Sequence, residues 1–458
     1  MAYHEIPHPC LIRQTLSAAA GIILLLASCT AVGTEAAVLT APGDLPVSVE
    51  PVHLTGFIPS AGFIRDIRTN AAMLHVSERT NIHVDWIESQ KLDAHEQLSL
   101  LLSGDSYPGI IQGASGSGLS MERIVSYGAD DYVGRGALLP LDDYVGTAIN
   151  TDVIDDSALQ SGTINGRLYG ISTGVNMPAL AYNRGLLERE GIPLPETSMN
   201  YDEFREYLVM LRDNLPSGVY PMMDIGVMSS NTTPFGYWTR YNGTPMYDAE
   251  LNTTHVTPEA ATEYLAMFQD YRENGLIPPA DIAAGYAESN ADSSSLVAGR
   301  VAIGYLFTNQ LPGYQAAMTD ELDLIEFPGA AETNALWVAP SQFYTVNRNS
   351  QNIEQTIRFI DFLVNDPDAA LILGNDRGAS ASATARAAGA ATPADQKVLN
   401  YLDAAAPHTS PETPHVPNDT ELNNTAYLIY QQVAFGQLTP EQGGREIHDL
   451  LMRLIERQ

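Results

Sequence analysis

The most informative stretch of this chain is residues 164–195, which read INGRLYGISTGVNMPALAYNRGLLEREGIPLP. Two apolar runs, 168–171 and 179–181, have the character of short strands, and they flank a polar segment, 172–178, that is predicted to be irregular. A helix follows and is predicted to end at Gly191, ahead of an Ile-Pro pair. This pattern is typical of a connection between two sheets in different lobes. An ordinary loop between two strands of one sheet has the same pattern.

Two phrases within this stretch carry a family resemblance. Residues 165–171, NGRLYGI, and residues 180–184, LAYNR, resemble the signature of the extracellular solute-binding proteins of ABC importers. The type is the carbohydrate-binding, maltose-binding-protein-like family 1. The resemblance implies an α/β fold with two lobes, the type II periplasmic-binding-protein fold, in which hinge crossings join the lobes. Further phrases in the family's order extend the resemblance from about residue 47 to the C-terminus.

The resemblance also implies where the lobes begin and end. The expected boundaries are 47–174 and 323–374 for the N-terminal lobe, and 175–322 and 375–458 for the C-terminal lobe. The expected crossings are near 172–178, 322–327 and 375–378. Binding of a ligand between the lobes is expected to close the cleft by a hinge rotation.

Composition limits the possible functions. At 458 residues, of which 45% are hydrophobic, the chain is long enough for two or more globular domains. Its formal net charge is −32 at pH 7, because 55 acidic side chains face 23 Lys and Arg. Such a charge repels nucleic acid and anionic membranes, so it favours neutral or cationic partners. An acidic surface that keeps an exported protein soluble is a sufficient explanation.

The N-terminus has the features of a lipoprotein signal. Residues 1–28 are predicted to be a signal peptide, whose apolar run leads into Leu-Ala-Ser-Cys at 26–29. That motif resembles a lipobox, which implies lipidation of Cys29 and cleavage before it. Removal of Cys10 then leaves no pair for a disulfide. An uncleaved anchor is the alternative, but the run is short for a span of about 20 residues. Residues 29–46 are predicted to be a tether.

Local signals predict two helix starts and one loop. Asn200 with Glu203, and Thr439 with Gln442, have the spacing of capping boxes at the beginning of a helix. The segment 234–242, PFGYWTRYN, is the richest aromatic cluster of the chain. Because it lies among Gly, Pro and Asn, it is predicted to be a loop rather than a helix.

Sugar binding requires aromatic faces and planar polar groups, which match the CH faces and the hydroxyls of a sugar ring. By resemblance, Asn176 falls at a crossing position that contacts sugar in the family. Phe235 and Trp238 fall where the family stacks sugar rings, and Phe307 falls near another such place. The segment 113–115 would line the opposite lobe. The full predicted set is Gly113, Ala114, Ser115, Asn176, Phe235, Trp238, Tyr241, Phe307, Trp337 and Arg377.

Three of these residues have a structural alternative. Trp238 would pack within the lobe core against neighbouring tyrosines, and Trp337 fits a core position equally well. Arg377 would form an ion pair at the hinge rather than contact ligand. The sequence alone leaves each of these alternatives open.

Together these features predict a monomeric, lipid-anchored protein on the extracytoplasmic face of the cell membrane. It would capture a sugar, with an oligosaccharide as the expected ligand, between its lobes and deliver it to ABC permease subunits. A secreted carbohydrate-active enzyme and an adhesin-type lipoprotein are the alternatives. Carboxylates, of which a glycoside hydrolase needs two, are abundant, but their abundance in so acidic a chain is no evidence of catalysis. No catalytic residue, cofactor or metal is therefore predicted.

Overall fold

The chain is described from a computed structural model, which covers residues 48, 50–58, 67–88, 97–98, 101–102, 108–114, 132–134, 136–228, 231–288, 291–375, 377–417 and 419–457. The signal peptide, the lipidation site Cys29 and the tether, all predicted within residues 1–46, lie outside the described residues. In the part of the chain that is described, no helix combines the length and the apolar character that crossing a membrane requires.

Strands and helices are distributed along the whole described chain. The strands are β1 Val52–Ile58, β2 Ile82–Glu88, β3 Ile110–Ala114, β4 Thr163–Ile164, β5 Arg167–Leu168, β6 Gly170–Ser172, β7 Gly174–Asn176, β8 Pro178–Asn183, β9 Tyr220–Met222, β10 Val301–Phe307, β11 Leu322–Ile325, β12 Ala339–Pro340, β13 Gln342–Val346 and β14 Ala379–Ser380. The helices are α1 Ile67–Thr80, α2 Asp156–Ser161, α3 Arg184–Glu190, α4 Tyr201–Asn214, α5 Pro234–Tyr241, α6 Pro258–Glu273, α7 Ala280–Ala283, α8 Leu311–Ala316, α9 Ala330–Thr333, α10 Ile353–Asn365, α11 Pro367–Leu373, α12 Ala383–Gly389, α13 Pro393–Ala405, α14 Asp419–Ala434 and α15 Pro440–Glu456.

The first large sheet has five strands in the order β2-β1-β3-β13-β6. β1 runs parallel to β2 and β3, whereas β13 runs antiparallel to β3 and β6. Phe57, Ile58 and Ile110 are completely buried, as expected for strands that are covered on both faces. Helix α1 packs against β2, and α10 packs against β13. This sheet is therefore an α/β layer with helices on it.

The second large sheet has four strands in the order β11-β8-β10-β9. All six residues of β8 are buried, and β8 pairs antiparallel with both β10 and β11. The predicted strand at 322–327 is present as β11, Leu322–Ile325, but it pairs within the second sheet, where Leu324 lies opposite Ala181 of β8, so these residues are not themselves the crossing. The apolar side chains of β11 are thus buried within the second sheet. The chain leaves that sheet only after β11.

The helix ends that the sequence predicts are confirmed. The side chain of Asn183 accepts a hydrogen bond from the N–H of Leu186 at the start of α3, and Gly191 ends that helix in the left-handed conformation, with φ of 70°. Both predicted capping boxes are present, at the starts of α4 and α15. These signals were readable because they act within one helical turn.

Helix α10 carries a buried carboxyl group. Asp361 is 1% exposed, and its Oδ1 accepts hydrogen bonds from the N–H of Asn150 and from Nδ2 of Asn365, both at 2.8 Å. Its Oδ2 has no hydrogen-bond partner among the described residues. Burial raises the pKa of Asp361 to about 6, and the two hydrogen bonds oppose part of that rise. The folded protein therefore binds a proton at Asp361 more readily than the unfolded chain.

This raised pKa predicts a pH-dependent effect of Asp361→Asn. A carboxyl whose pKa is higher in the folded state stabilises the fold at low pH, and that contribution is lost as pH rises from about 4 through about 6. Asparagine keeps the Oδ1 acceptor and carries no charge. From pH 4 to pH 7.5, the variant should gain about 2–3 kcal/mol in unfolding free energy relative to the wild type. Urea unfolding at both pH values measures this, and a pH-independent difference would contradict it.

Candidate functional site

The candidate site is built on a third, small sheet in the order β12-β7-β14, which we call the crossing sheet. β7 pairs antiparallel on both edges, with Asn176 opposite Ala339 and Val175 opposite Ala379. Along the chain, β7 lies between β6 of the first sheet and β8 of the second. β12 lies between β11 of the second sheet and β13 of the first. Connections between the two large sheets therefore meet in the crossing sheet.

The segment 172–178 was predicted to be irregular, and this prediction is wrong in part because the segment contains β7. Its pairing depends on close approach of the backbone. A Cβ atom added to Gly174 would lie 2.7 Å from the carbonyl oxygen of Ala379, and one added to Gly378 would lie 2.8 Å from Cβ of Ser341. Gly378 also has a φ of 88°, which favours glycine. Both glycines are required for the three strands to approach each other this closely.

Alternation along β7 gives the crossing sheet two different faces. Val175 and Met177 line a cavity of about 350 Å³ together with Val338. Asn176 points the opposite way, toward Gly378, where an added Cβ atom would be 3.2 Å from its Oδ1. We call the side that carries Asn176 the polar face. It is the candidate binding surface, because its side chain offers a hydrogen-bonding group.

Buried polar atoms on and next to the polar face lack partners. Oδ1 of Asn176, Oε1 of Gln342 and Nε1 of Trp337 are buried and have no hydrogen-bond partner among the described residues. Asn176 is only 6% exposed. Each such group costs roughly 1–3 kcal/mol when it stays unpaired. A ligand with hydroxyl groups, which both donate and accept, can recover that loss.

Aromatic rings stand next to the crossing sheet at the end of β10. Phe307 pairs with Pro178, is half-buried, and has its ring 6.5 Å from that of Trp337. Trp337 is 1% exposed, with the guanidinium of Arg240 5.5 Å from its ring centroid. Burial lowers the pKa of Arg240, which donates to the main-chain oxygen of Ala335. Phe307 is thus accessible in part, whereas the ring of Trp337 belongs to the core.

The aromatic segment 234–242 forms a helix rather than the predicted loop. Thr233 caps α5 and a proline occupies its first turn, and both are signals for a helix start that the sequence analysis missed. Phe235 and Trp238 are 1% and 7% exposed, and their rings lie 5.0 and 5.5 Å from that of Tyr264. This burial favours the core alternative that the sequence left open for Trp238, and it favours a core position for Phe235 as well, rather than the stacking of a sugar ring.

Tyr241 lies at the end of α5 among a different set of neighbours. Its ring is 4.9 Å from that of Tyr201, and its hydroxyl is 3.4 Å from Oε2 of Glu332. Burial and the charge of Glu332 raise its pKa. Gly329 lies against the same ring. None of these neighbours is a residue of the crossing sheet, so this geometry does not bring Tyr241 beside Asn176.

Arg377 connects the crossing sheet to the first large sheet. It directly precedes Gly378, and its Nε donates a hydrogen bond to Oγ1 of Thr69 in the first turn of α1, at 2.8 Å. Burial raises the pKa of Tyr344 on β13, and the charge of Arg377 opposes part of that rise. Arg377 therefore has a structural role at the crossing.

The predicted contacts from the opposite lobe are described only in part. Gly113 and Ala114 lie at the end of β3, where Ala114 is opposite Gln342. Ser115 lies outside the described residues. The structure also places two polar residues near the crossing sheet that the sequence analysis missed. They are Gln342, whose Oε1 is buried, and Ser341, which lies against Gly378. Nothing in the local pattern marks them, because isolated polar residues after a proline are common in turns.

Comparison with known proteins identifies the family. A family model described as bacterial extracellular solute-binding protein matches residues 76–400. The match covers well over half of the chain, so the chain belongs to the bacterial extracellular solute-binding proteins. The family is a class of solute-binding proteins, and its description as extracellular agrees with the prediction of a function outside the cytoplasm.

Solved structures share the fold. A family 1 extracellular solute-binding protein from Alicyclobacillus acidocaldarius is 25% identical, with a TM-score of 0.71 over 89% of this chain and 100% of that one. An oligogalacturonide-binding protein from Yersinia enterocolitica, in complex with saturated digalacturonic acid, is 20% identical, with a TM-score of 0.71 over 89% and 99%. An ABC substrate-binding protein from Listeria monocytogenes, in complex with cycloalternan, is 15% identical, with a TM-score of 0.69 over 89% and 99%. The predicted two-lobe α/β fold is confirmed.

The burial of Trp238 predicts a loss of stability when its ring is removed. Trp238→Ala should destabilise the ligand-free protein by about 3–5 kcal/mol, because the substitution leaves a cavity beside Tyr264. Thermal melts without ligand measure this. Tyr241→Ala serves as the comparison, and its half-buried ring should cost less. If Trp238→Ala is instead as stable as the wild type and binds sugar more weakly, the core position is contradicted and the predicted stacking of Trp238 on a sugar ring is supported.

Proposed function

We propose that the chain binds a sugar, most simply an oligosaccharide, on the polar face of the crossing sheet and delivers it to the permease of an ABC importer. The observation that carries this proposal is the unpaired Oδ1 of Asn176, a buried amide oxygen at the meeting point of the two large sheets. A binding protein that closes around its ligand needs such groups at the hinge, where both lobes can reach the ligand.

The chemistry of the surrounding residues supports a carbohydrate. The amides of Asn176 and Gln342 can exchange hydrogen bonds with hydroxyls in either direction, and Phe307 offers a partly exposed aromatic face. Two proteins of similar fold hold digalacturonic acid and cycloalternan, both of them carbohydrates. The net charge of −32 favours a neutral sugar over an acidic one.

The sheet pairing supports a revised division into lobes. Because β11 pairs with β8, the second lobe extends beyond the predicted boundary at 322. Helix α12 packs on α11, and Arg386 of α12 bonds to Asp155, so the first lobe extends beyond 374. We assign residues 48–173 and 341–389 to the N-terminal lobe, and residues 177–338 and 393–457 to the C-terminal lobe.

Delivery to a permease requires the protein to stay near the membrane. The lipobox-like motif at 26–29 supports an anchor on Cys29, with the acidic domain held away from the surface by the tether at 29–46. Lipid anchoring and a monomeric state remain predictions. Mass spectrometry of the mature N-terminus would detect the acylated cysteine.

The proposal predicts which side chain controls affinity. A thermal-shift screen of neutral oligosaccharides and uronic-acid sugars first selects a ligand, since a compound that binds only the folded state raises the melting temperature. Asn176→Ala should then weaken binding of that sugar roughly 10- to 100-fold, which corresponds to about 1–3 kcal/mol for a lost hydrogen bond to a buried group. Isothermal titration calorimetry measures the change.

The matched control is Asn214→Ala, which removes an exposed asparagine at the end of α4. It should leave affinity unchanged. Asn176→Ala should retain or raise the melting temperature of the ligand-free protein, because it removes a buried oxygen that has no partner among the described residues. Equal affinity in both variants would remove the polar face from the binding site. The absence of any sugar that binds would overturn the proposed ligand class.

A further inference from the structure

A second cluster of polar side chains lies where α1 packs against α10 and α11. His75 is on α1, Asp366 is the residue between α10 and α11, and Asp368 is in the first turn of α11. One potential ligand atom of each residue lies within 4.8 Å of those of the other two. The cluster thus joins three helices of the first lobe through two carboxylates and one imidazole.

Two atoms at the centre of this cluster are buried and unpaired. Asp366 is 4% exposed, and its Oδ1 accepts a hydrogen bond from the N–H of Asp368 at 2.8 Å. Its Oδ2 and Nε2 of His75 have no hydrogen-bond partner among the described residues, and both atoms are buried. Buried polar atoms are nearly always satisfied in folded proteins, so this pair requires an explanation.

The distance between these two atoms fits a shared metal ion. Nε2 of His75 is 3.4 Å from Oδ2 of Asp366. That distance exceeds the usual range of about 2.7–3.2 Å for a nitrogen–oxygen hydrogen bond. Two ligand atoms that are each about 2.1 Å from a tetrahedral ion stand about 3.4 Å apart. The geometry is therefore that of two ligands of one ion.

We propose that His75, Asp366 and Asp368 bind one divalent transition-metal ion, with zinc as the best match. One imidazole nitrogen and two carboxylate oxygens are a ligand set that zinc accepts. The two carboxylates balance the charge of the ion, and His75 binds it as the neutral imidazole. Asp368 is exposed, so its side chain can move onto the ion and solvent can supply the fourth ligand.

The proposed ion would join α1 to the junction of α10 and α11. It would act on the stability of the first lobe rather than on ligand chemistry, so it does not depend on the proposed sugar-binding function. The sequence analysis predicted no metal, because His75 and the aspartates are far apart in the chain and form no local motif.

An ion pair between protonated His75 and Asp366 is the competing explanation. The chain offers a direct comparison in His255 and Asp248, whose Nε2 and Oδ2 are 3.0 Å apart and form a hydrogen bond. That pair has the distance of a direct bond, and His75 with Asp366 does not. Substitution of His255 is therefore a matched control for substitution of His75.

The experiment uses the full chain without a polyhistidine tag, stripped with EDTA and dialysed. Zinc chloride is titrated by calorimetry, and cobalt(II) is added to a second sample, because a tetrahedral cobalt site absorbs strongly in the visible range. One ion per chain should bind, and the melting temperature should rise with zinc. His75→Gln and Asp368→Asn should each lower the affinity at least about 10-fold. His255→Gln is the matched control and should bind as the wild type does.

Melting curves without metal show whether each variant is folded. Asp368→Asn changes an exposed side chain, so it tests the site even if His75→Gln fails to fold. The proposal is overturned if zinc does not bind. It is also overturned if His75→Gln and Asp368→Asn bind zinc as tightly as His255→Gln, because the ion would then be adventitious and the first pair a simple ion pair.

Discussion

The pairing of β7 on both of its edges is the constraint on which the candidate site depends. Three residues, Gly174–Asn176, receive β12 on one side and β14 on the other. Each of these strands belongs to a separate passage of the chain, and main-chain hydrogen bonds hold the passages in one register. Gly174 and Gly378 leave no room for a side chain, because an added Cβ atom would meet the backbone at Gly174 and the side chain of Ser341 at Gly378.

The same register determines the chemistry of the site. Alternation sends Val175 and Met177 toward a cavity of mixed apolar and charged lining and turns Asn176 to the polar face. The amide oxygen of Asn176 has no hydrogen-bond partner in the part of the chain that the structure describes, and interactions elsewhere in the fold must offset that cost in free energy. Clusters such as Phe235 and Trp238 around Tyr264 supply stability elsewhere. In the proposed function, the ligand pairs with this amide oxygen in the crossing sheet.

Sequence reasoning succeeded where the signal was local or belonged to the family. The end of α3 at Gly191 and the capping boxes at Asn200 and Thr439 follow from interactions within one turn. The order of family phrases predicted the two-lobe fold and placed a crossing at Asn176. These features needed no knowledge of distant contacts.

Most of the errors have a common cause in long-range packing. Strand β7 could not be predicted from its local sequence, because its partner strands, near Ala339 and Ala379, lie far along the chain. The burial of Trp238 depends on Tyr264 of another helix, and β11 belongs to the second sheet only because β8 is there to pair with it. The error at α5 has a different, local cause, because its Gly, Pro and Asn residues favoured a loop although the Thr-Pro start signal was present.

The central claim is that the crossing sheet is the hinge of a cleft that closes on a sugar. Small-angle X-ray scattering of the full chain, with and without a saturating concentration of the sugar selected by thermal shift, tests it most directly. The account predicts that the radius of gyration decreases when the sugar binds, because the lobes rotate together about the crossing sheet. An unchanged scattering profile at saturation would contradict the hinge.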